Sequence, residues 1–188
     1  MTRELRIAFV VLAIVASVCL SSPLAAQVAD DRLVVPGQRI GAARLDMTID
    51  DVINLYGTPS SIHRNFTSIW ANIRPADWYV WKPVALVAAT RDRVKIEYLW
   101  LDINVDSMRT FKTEQGIGRD TALEVFLRAY GQPTARTTAV AVQGVTAYQW
   151  FIYNTGGLFA VVMVLGEPRS VFTLGVFRPG EARNHWRF

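Results

Sequence analysis

Cysteine is almost absent from this chain. Of its 188 residues only Cys19 carries a thiol, and it lies in an apolar stretch near the amino terminus. Residues 27–188 therefore cannot form disulfide bridges, thiolate metal sites or cysteine nucleophiles. A segment of that length can still fold without covalent cross-links, because it is long enough to bury one hydrophobic core.

Histidine is nearly as scarce, and His63 and His185 lie far apart in the sequence. Neither has a second histidine or a carboxylate at a spacing typical of zinc sites. The chain also lacks the Gly-x-Ser-x-Gly turn of many hydrolases and a glycine-rich phosphate loop. We therefore predict that the protein is not an enzyme and has no catalytic residues, metal site or cofactor. A Ser-His-Asp arrangement assembled from distant positions stays open.

Positive charge is in excess but is not concentrated anywhere. The formal net charge is +4 and the isoelectric point is about 9.5, yet the sequence contains no run of lysines and arginines. A nucleic-acid-binding surface usually shows such clustering. We interpret these charges as a solvated surface and predict no nucleic-acid partner.

Residues 1–26 have the features of a secretory signal peptide. Two arginines precede a nearly unbroken apolar run over residues 7–20, and a Leu-Ala-Ala sequence ending at Ala26 forms a cleavage site. The run is shorter than the roughly 20 residues of a membrane-spanning helix. Val18 precedes Cys19, at the position where bacterial lipid attachment prefers a small residue. We therefore do not expect a lipid anchor at Cys19. We predict a periplasmic or secreted protein cleaved near Ala26, with membrane attachment only if the signal stays uncleaved.

One short stretch of the sequence occurs twice. Residues 46–59 read DMTIDDVINLYGTP, and residues 120–133 read DTALEVFLRAYGQP. In both copies the apolar residues follow the spacing i, i+3, i+4, i+7, which predicts an amphipathic helix. The aligned apolar positions are Ile49, Val52, Ile53 and Tyr56 in the first copy and Leu123, Phe126, Leu127 and Tyr130 in the second.

The ends of both predicted helices carry matching signals. Gly57 and Gly131 suit the left-handed conformation that follows a last helical turn, and a proline two residues later prevents continuation. At the start of the helices, capping boxes are predicted, in which a threonine and an acid three residues later satisfy free amide groups. These pairs are Thr48 with Asp51 and Thr121 with Glu124.

Strand-like sequence with short turns follows each predicted helix, which is typical of antiparallel meanders. The predicted strands include residues 77–81, 84–89, 94–103, 145–153, 158–165 and 171–177. Residues 158–165 are apolar throughout and are predicted to be covered on both faces. The tail after residue 180 is predicted to be polar.

These patterns predict an α+β fold in one mature domain, residues 27–188. It is built of two tandem repeats, at about residues 40–105 and 114–178, each a helix plus an antiparallel meander. Together the repeats form a two-layer sheet with the helices on one face.

The repeat unit resembles that of a known family. The helix opened by Asp46-Met47-Thr48 and closed by Gly57-Thr58-Pro59 resembles the helix of the SmpA/OmlA (BamE-type) outer-membrane lipoproteins, and the tandem arrangement resembles the β-lactamase inhibitory protein fold. The resemblance covers roughly residues 40–177. It implies an envelope or secreted binding module without catalytic machinery. The chain departs from these families in lacking a suitable lipid-attachment cysteine and disulfides, so the resemblance extends to the fold and not to the partner.

The tryptophans provide the candidate site. All six follow the predicted signal peptide, and Trp78, Trp81, Trp100 and Trp150 fall on predicted strands that could share one face. Tryptophan on an exposed sheet face supplies the large contact area found at protein-binding hot spots. Packing in the core is the alternative for the same residues.

The predicted function follows from these features. We predict an exported, non-enzymatic binding domain that acts through protein–protein interaction in the bacterial envelope or outside the cell. Its partner would be an envelope component or a secreted enzyme. The alternative is a small-molecule or lipid carrier whose aromatic residues line a pocket.

Overall fold

The computed structural model describes residues 31–67, 73–142, 146–165 and 168–187. The predicted signal peptide and Trp70 lie outside these ranges. None of the helices in these ranges has the length and apolar character needed to cross a membrane.

The described part of the chain contains twelve strands, three helices and two short 3₁₀ turns. The strands are β1 (Val34–Val35), β2 (Arg39–Ile40), β3 (Ala43–Arg44), β4 (Ser61–Phe66), β5 (Ala76–Trp81), β6 (Leu86–Thr90), β7 (Tyr98–Leu101), β8 (Ala135–Arg136), β9 (Val140–Val142), β10 (Thr146–Tyr153), β11 (Leu158–Leu165) and β12 (Val171–Phe177). The helices are α1 (Ile49–Tyr56), α2 (Leu123–Tyr130) and α3 (Ala182–His185), and the 3₁₀ turns are Lys82–Val84 and Asp106–Thr110.

The main element is a nine-stranded antiparallel sheet. Its order is β4-β5-β6-β7-β12-β11-β10-β8, and β9 pairs with β10 as β8 does. Strands β4 to β7 lie side by side in the order of the chain. In the other half β12, β11 and β10 lie side by side in the reverse order, and the two halves meet where β7 pairs with β12. A second, three-stranded sheet consists of β1, β2 and β3. The prediction of an α+β fold with antiparallel strands is confirmed.

Helix α1 begins as its sequence predicts. The Thr48 hydroxyl accepts from the Asp51 amide at 3.1 Å, and an Asp51 carboxylate oxygen accepts from the Thr48 amide at 2.8 Å. The helix ends at Gly57, whose φ is +79°. Its ψ of −170° differs from the predicted left-handed helical conformation. Glycine adopts such a positive φ without the steric cost that a side chain would add.

Helix α2 ends as predicted, at Gly131, but begins differently. The predicted capping pair of Thr121 and Glu124 is wrong, because the Thr121 hydroxyl accepts from the Gly118 amide and no side chain caps the helix. The Leu123 amide instead donates to the Arg169 carbonyl at 3.0 Å. A neighbouring segment therefore satisfies this amide, which a capping side chain would otherwise serve.

Both longer helices pack on the same face of the large sheet. Ile49 and Val52 of α1, and Leu123 and Phe126 of α2, are buried in one apolar cluster with residues of the small sheet. The inward side chains of β5, β6, β7, β10, β11 and β12 complete that cluster. Among the described residues, this layer is the larger of two apolar clusters.

The opposite face of the sheet carries a second apolar cluster, rich in aromatic residues. Residues from β5, β6, β7, β10, β11 and β12 contribute to it, together with Ala182 and Trp186 from the carboxyl-terminal segment. The prediction of a polar tail is therefore wrong. Ala182, His185 and Trp186 are buried, and their i, i+3, i+4 spacing is that of a helix with one apolar side.

Strand β11 is covered as predicted over its first part, whereas β7 is shorter than predicted. Residues 158–162 of β11 are buried on both faces, which confirms the prediction of double coverage there. The strand predicted over residues 94–103 is much shorter, since only Tyr98–Leu101 is paired as β7. The carboxylate of Asp92 accepts from the amides of Val94 and Lys95 at 2.9 and 2.8 Å, and this turn replaces the start of the strand.

Candidate ligand-binding cleft

The aromatic face of the large sheet is only partly covered. The carboxyl-terminal segment closes one end of it, and the remainder forms an open cleft with a volume of about 850 Å³. Strands β4 and β5 provide one side, β7 and β12 the middle, and β9 and β10 the other side. The aromatic lining residues are Phe66, Trp78, Trp100, Tyr148, Trp150, Phe159 and Phe172.

Three of the four predicted site tryptophans lie together in this cleft, and the fourth does not. Trp78, Trp100 and Trp150 line the cleft. Trp81 lies on the opposite face, where it is 1 % exposed and its indole Nε1 donates to the Gly57 carbonyl at 2.8 Å, beneath α1. The prediction of a shared face is wrong for Trp81, because residues an odd number apart on a strand face opposite sides.

The aromatic rings form a continuous row across the sheet. The ring centroids of Phe66 and Trp78 are 4.3 Å apart. The Trp78 and Trp100 rings are perpendicular at 4.1 Å, and those of Trp100 and Trp150 meet at 80° and 6.4 Å. Such edge-to-face contacts are favourable, because the positive ring edge meets the negative ring face. The row therefore holds itself in place without a ligand.

Phe159 completes the floor of the cleft with the help of a glycine. Its ring stacks on Trp150 at 5.1 Å and meets Trp100 edge to face at 6.4 Å. A Cβ atom at Gly175, on the neighbouring strand β12, would lie 2.1 Å from Cζ of Phe159. Glycine in the interior of a strand often marks such a close approach. The sequence analysis missed both residues, although a glycine within the apolar run of β12 was the available signal.

The closed end of the cleft is an aromatic cluster around Trp186. Its ring centroid lies 5.3 Å from that of Phe159 and 5.0 Å from that of Phe177. His185 Nδ1 lies 3.4 Å from a carboxylate oxygen of Glu97. Burial raises the pKa of Glu97, but the contacts with His185 and Arg91 outweigh it and hold that pKa below its ordinary value.

Near this end, Tyr98 extends the same cluster. The Trp78 indole donates to its hydroxyl at 3.2 Å. Burial raises the pKa of Tyr98 well above its ordinary value, and the Trp78 hydrogen bond opposes that rise only partly. The Tyr98 hydroxyl thus stays protonated at neutral pH and acts as a structural acceptor.

Polar side chains line the opposite side of the cleft. Asp102 is 6 % exposed, and its Oδ1 accepts from the Asn104 backbone and side-chain amides, both at 3.0 Å. The Thr173 hydroxyl donates to the Leu101 carbonyl at 2.8 Å. Lys82 lies exposed at the mouth. The cleft is therefore amphipathic, with aromatic walls and one polar side.

A serine and a histidine also meet at the rim. Ser61 Oγ and His63 Nε2 are 3.2 Å apart on the edge strand β4. Within the described residues no carboxylate contacts His63. A hydrolytic triad needs such a group to orient the imidazole, so the pair by itself lacks that element. In the part of the chain that the structure describes, no three His, Cys, Asp or Glu side chains are grouped closely enough to hold a metal ion.

Comparisons with known proteins add little to this geometry. No protein-family model matches the chain, and no curated protein matches it. Among solved structures, it is similar to the DUF4309 family protein YjgB from Bacillus subtilis, with 14 % sequence identity and a TM-score of 0.37. The match covers 70 % of this chain and 78 % of that one. Similarity this distant identifies no family, and the resemblance to the SmpA/OmlA and β-lactamase inhibitory proteins stays a prediction.

Proposed function

We propose that this protein is an exported, non-enzymatic binding protein that takes up an apolar small molecule in the aromatic cleft. The observation that carries the proposal is the cleft itself, with its volume of about 850 Å³ and its row of aromatic rings. Pockets for small molecules generally measure about 300–1,000 Å³ and are lined mainly by apolar and aromatic side chains.

The depth of the tryptophans favours a small ligand over a protein surface. Trp100 and Trp150 are each only 9 % exposed, so they are recessed in the floor of the cleft. A residue that anchors a flat protein partner has to be reachable from outside, whereas a small molecule can enter and cover a recessed ring. Burying an apolar ligand against such rings contributes about 25 cal/mol for each Å² removed from water.

A fluorescence titration tests the proposal. The neutral dye 1-N-phenylnaphthylamine should brighten on binding to the purified protein and should be displaced by apolar molecules without fluorescence. Trp100→Ala and the cleft-filling Val161→Phe should each raise the dissociation constant of the dye at least about tenfold, equivalent to about 1.4 kcal/mol. Trp81→Phe, which changes the opposite face, serves as the matched control and should bind as the wild type does. Failure of the wild type to bind any apolar probe would contradict the proposal.

A protein partner is the second candidate, and the rim of the cleft favours it. Phe66 is 39 % exposed and Ile103 is 40 % exposed, and both line the opening. Among the described strands, β4 lies at an edge of the large sheet and pairs there with β5. Exposed apolar residues beside a sheet edge are typical of surfaces that accept a protein strand.

A pull-down separates the two candidates. The wild type and a Phe66→Asp/Ile103→Asp variant would be used to capture proteins from the envelope fraction of the source cells. A partner retained by the wild type and lost by the variant, with dye binding unchanged, would support protein binding at the rim. Dye binding without any retained protein would support the small-molecule function.

We also propose that the fold arose by duplication of one unit. Helix α1 precedes β4 to β7, and α2 precedes β8 to β12. In both halves the last strand lies at the centre of the sheet and earlier strands lie further out, which supports this origin. If each half is a structural unit, a chain cut at the exposed turn around Gly116 should yield two fragments that co-purify and bind the dye. Fragments that never associate would argue against two units.

A further inference from the structure

We infer that the ligand of the cleft carries a positively charged ammonium group that lies beside Asp102 and against the tryptophan rings. This inference rests on the proposed small-molecule function and specifies the chemical class of the ligand. It follows from one buried carboxylate and from the three indole rings that line the cleft with it.

Asp102 is a buried acid that lines the cleft. Its side chain is 6 % exposed, and in the described residues no lysine, arginine or histidine lies within ion-pair distance of it. In the described residues, the hydrogen bonds of its carboxylate come from the Asn104 backbone and side-chain amides, and both reach Oδ1. Buried carboxylates are normally paired with a cation, because taking the charge out of water is costly.

Thr173, which lines the same side of the cleft, does not donate a hydrogen bond to Asp102. Its hydroxyl already donates its proton to the Leu101 carbonyl. Trp100, two residues before Asp102, lines the cleft with it. A ligand that enters the cleft therefore meets a carboxylate and an aromatic ring from the same segment of chain.

The tryptophans provide walls that suit a cation. Trp100 lies perpendicular to Trp78 and at 80° to Trp150. Trp100 stacks on Tyr98 at 5.6 Å and Trp150 stacks on Phe159 at 5.1 Å, so one face of each ring is covered. A cation would lie against the ring surfaces that line the cleft, as quaternary ammonium groups do on tryptophan. Such a cation–ring contact is stronger where water is excluded, as it is in the recessed floor of the cleft.

Lys82 and His63 are the basic side chains among the described lining residues, and a positive charge on either would favour an anion instead. Both are exposed, and neither forms an ion pair with Asp102 in the described residues. An exposed charge is screened by salt and water, whereas a buried one is screened much less. The buried carboxylate should therefore dominate the selectivity of the cleft.

Three probes with the same ten-carbon chain test this inference. Decyltrimethylammonium, 1-decanol and decanoate would be titrated into the purified protein, below the concentrations at which they form micelles, with intrinsic tryptophan fluorescence as the readout. Decyltrimethylammonium should bind about tenfold more tightly than 1-decanol, the factor that corresponds to one or two good cation–ring contacts. Decanoate should bind most weakly.

Two matched variants assign the preference to Asp102. Asp102→Asn keeps the shape of the side chain. It should reduce the preference for decyltrimethylammonium over 1-decanol from about tenfold, which corresponds to about 1.4 kcal/mol, to less than about threefold. Lys82→Gln removes a positive charge at the mouth of the cleft, so the preference for the cation should stay at about tenfold or rise. If Asp102→Asn does not fold, competition in the wild type replaces it, and tetramethylammonium should then displace decyltrimethylammonium but not 1-decanol.

The outcomes distinguish this inference from the function on which it rests. Equal binding of all three probes would overturn the ammonium inference and leave small-molecule binding intact. Tighter binding of decanoate, lost in Lys82→Gln, would also overturn it and would assign an anionic ligand. Failure of every probe to bind would contradict the proposed function itself.

Discussion

Trp78 and Trp81 lie three residues apart on strand β5 and face opposite sides of the sheet. Trp78 lines the open cleft, whereas Trp81 is buried beneath α1 and is bonded to the Gly57 carbonyl. The two residues look alike in the sequence, yet one belongs to the candidate site and the other to the larger core. This difference leads to a direct test.

Truncation of the two tryptophans should separate stability from binding. Trp81→Ala should lower the free energy of unfolding by about 3–5 kcal/mol, since it empties a fully packed core position. Trp78→Ala should lower the free energy of unfolding by only about 1–2 kcal/mol, because an open cleft is already in contact with water. It should, however, weaken the binding of the apolar dye. Urea unfolding followed by circular dichroism measures both costs. Equal losses of stability would contradict the assignment of the two faces.

Replacing tryptophan with phenylalanine should distinguish Trp81 from Trp186. Both are 1 % exposed, but the Trp81 indole donates a hydrogen bond and the Trp186 indole has no acceptor among the described residues. Trp81→Phe should therefore cost about 1 kcal/mol more than Trp186→Phe, the usual net value of one hydrogen bond. Urea unfolding of the two variants measures the difference, and the opposite ranking would refute the explanation.

Gly175→Ala should damage the floor of the cleft. Its new methyl group would meet the Phe159 ring at 2.1 Å and the Leu99 carbonyl oxygen at 2.6 Å. Overpacking of this kind costs about 1–3 kcal/mol, and we also expect weaker dye binding because the Phe159 ring has to move. Thermal unfolding and dye titration measure the two effects.

A control and a second-site change make this prediction sharper. Gly156→Ala meets no atom closer than 3.9 Å and should be nearly neutral. Gly175→Ala should cost less stability in a Phe159→Ala background than in the wild type, although Phe159→Ala is itself destabilising, and a double-mutant cycle measures this difference. Purely additive effects would contradict direct contact between these two positions.

Asp77 should make stability depend on pH. It is 7 % exposed and accepts from Arg64 at 2.6 Å, Arg93 at 3.0 Å and the Asn65 amide at 2.7 Å. Burial raises the pKa of Asp77, but these bonds outweigh it and hold the pKa below its ordinary value of 3.8. A carboxyl with a lower pKa in the folded state stabilises the protein above pH 3.8 and loses that contribution as the pH falls through the folded pKa.

Asp77→Asn tests this dependence. The variant should be less stable than the wild type by about 1–3 kcal/mol at pH 7, the cost of losing charge-assisted hydrogen bonds. This difference in unfolding free energy between the wild type and the variant should shrink as the pH is lowered from about 5 to about 2. Urea unfolding across that range measures it, with the exposed Asp106→Asn as the control. A gap that stays constant with pH would exclude Asp77 as the titrating group.

Much of the fold could be predicted from local patterns. The helices around residues 49–56 and 123–130, their glycine ends, and the strands β10, β11 and β12 follow from apolar spacing and turn residues. These features depend on interactions within a few residues. The second capping pair and the long strand over residues 94–103 were wrong, because contacts with Arg169 in one case and with the Asp92 side chain in the other replaced the expected local structure.

The candidate site was only partly predictable. Alternation along β5 already excludes a common face for Trp78 and Trp81, and that information is present in the sequence. No local pattern indicates that Phe159 lies over Gly175, since that contact joins β11 to the strand beside it. The burial of Trp186 likewise depends on the docking of α3 onto the aromatic face of the sheet.

Local sequence specifies where the chain is helical or extended, because spacing, capping and glycine act over short distances. The lack of cysteine in residues 27–188 likewise means that this segment folds without disulfide bridges. Long-range packing sets the pairing of β7 with β12, the meeting of three tryptophans in one cleft and the burial of Asp102 beside them. These relationships join residues far apart in the chain, so they arise only when the two halves of the sheet pair and bury their shared face.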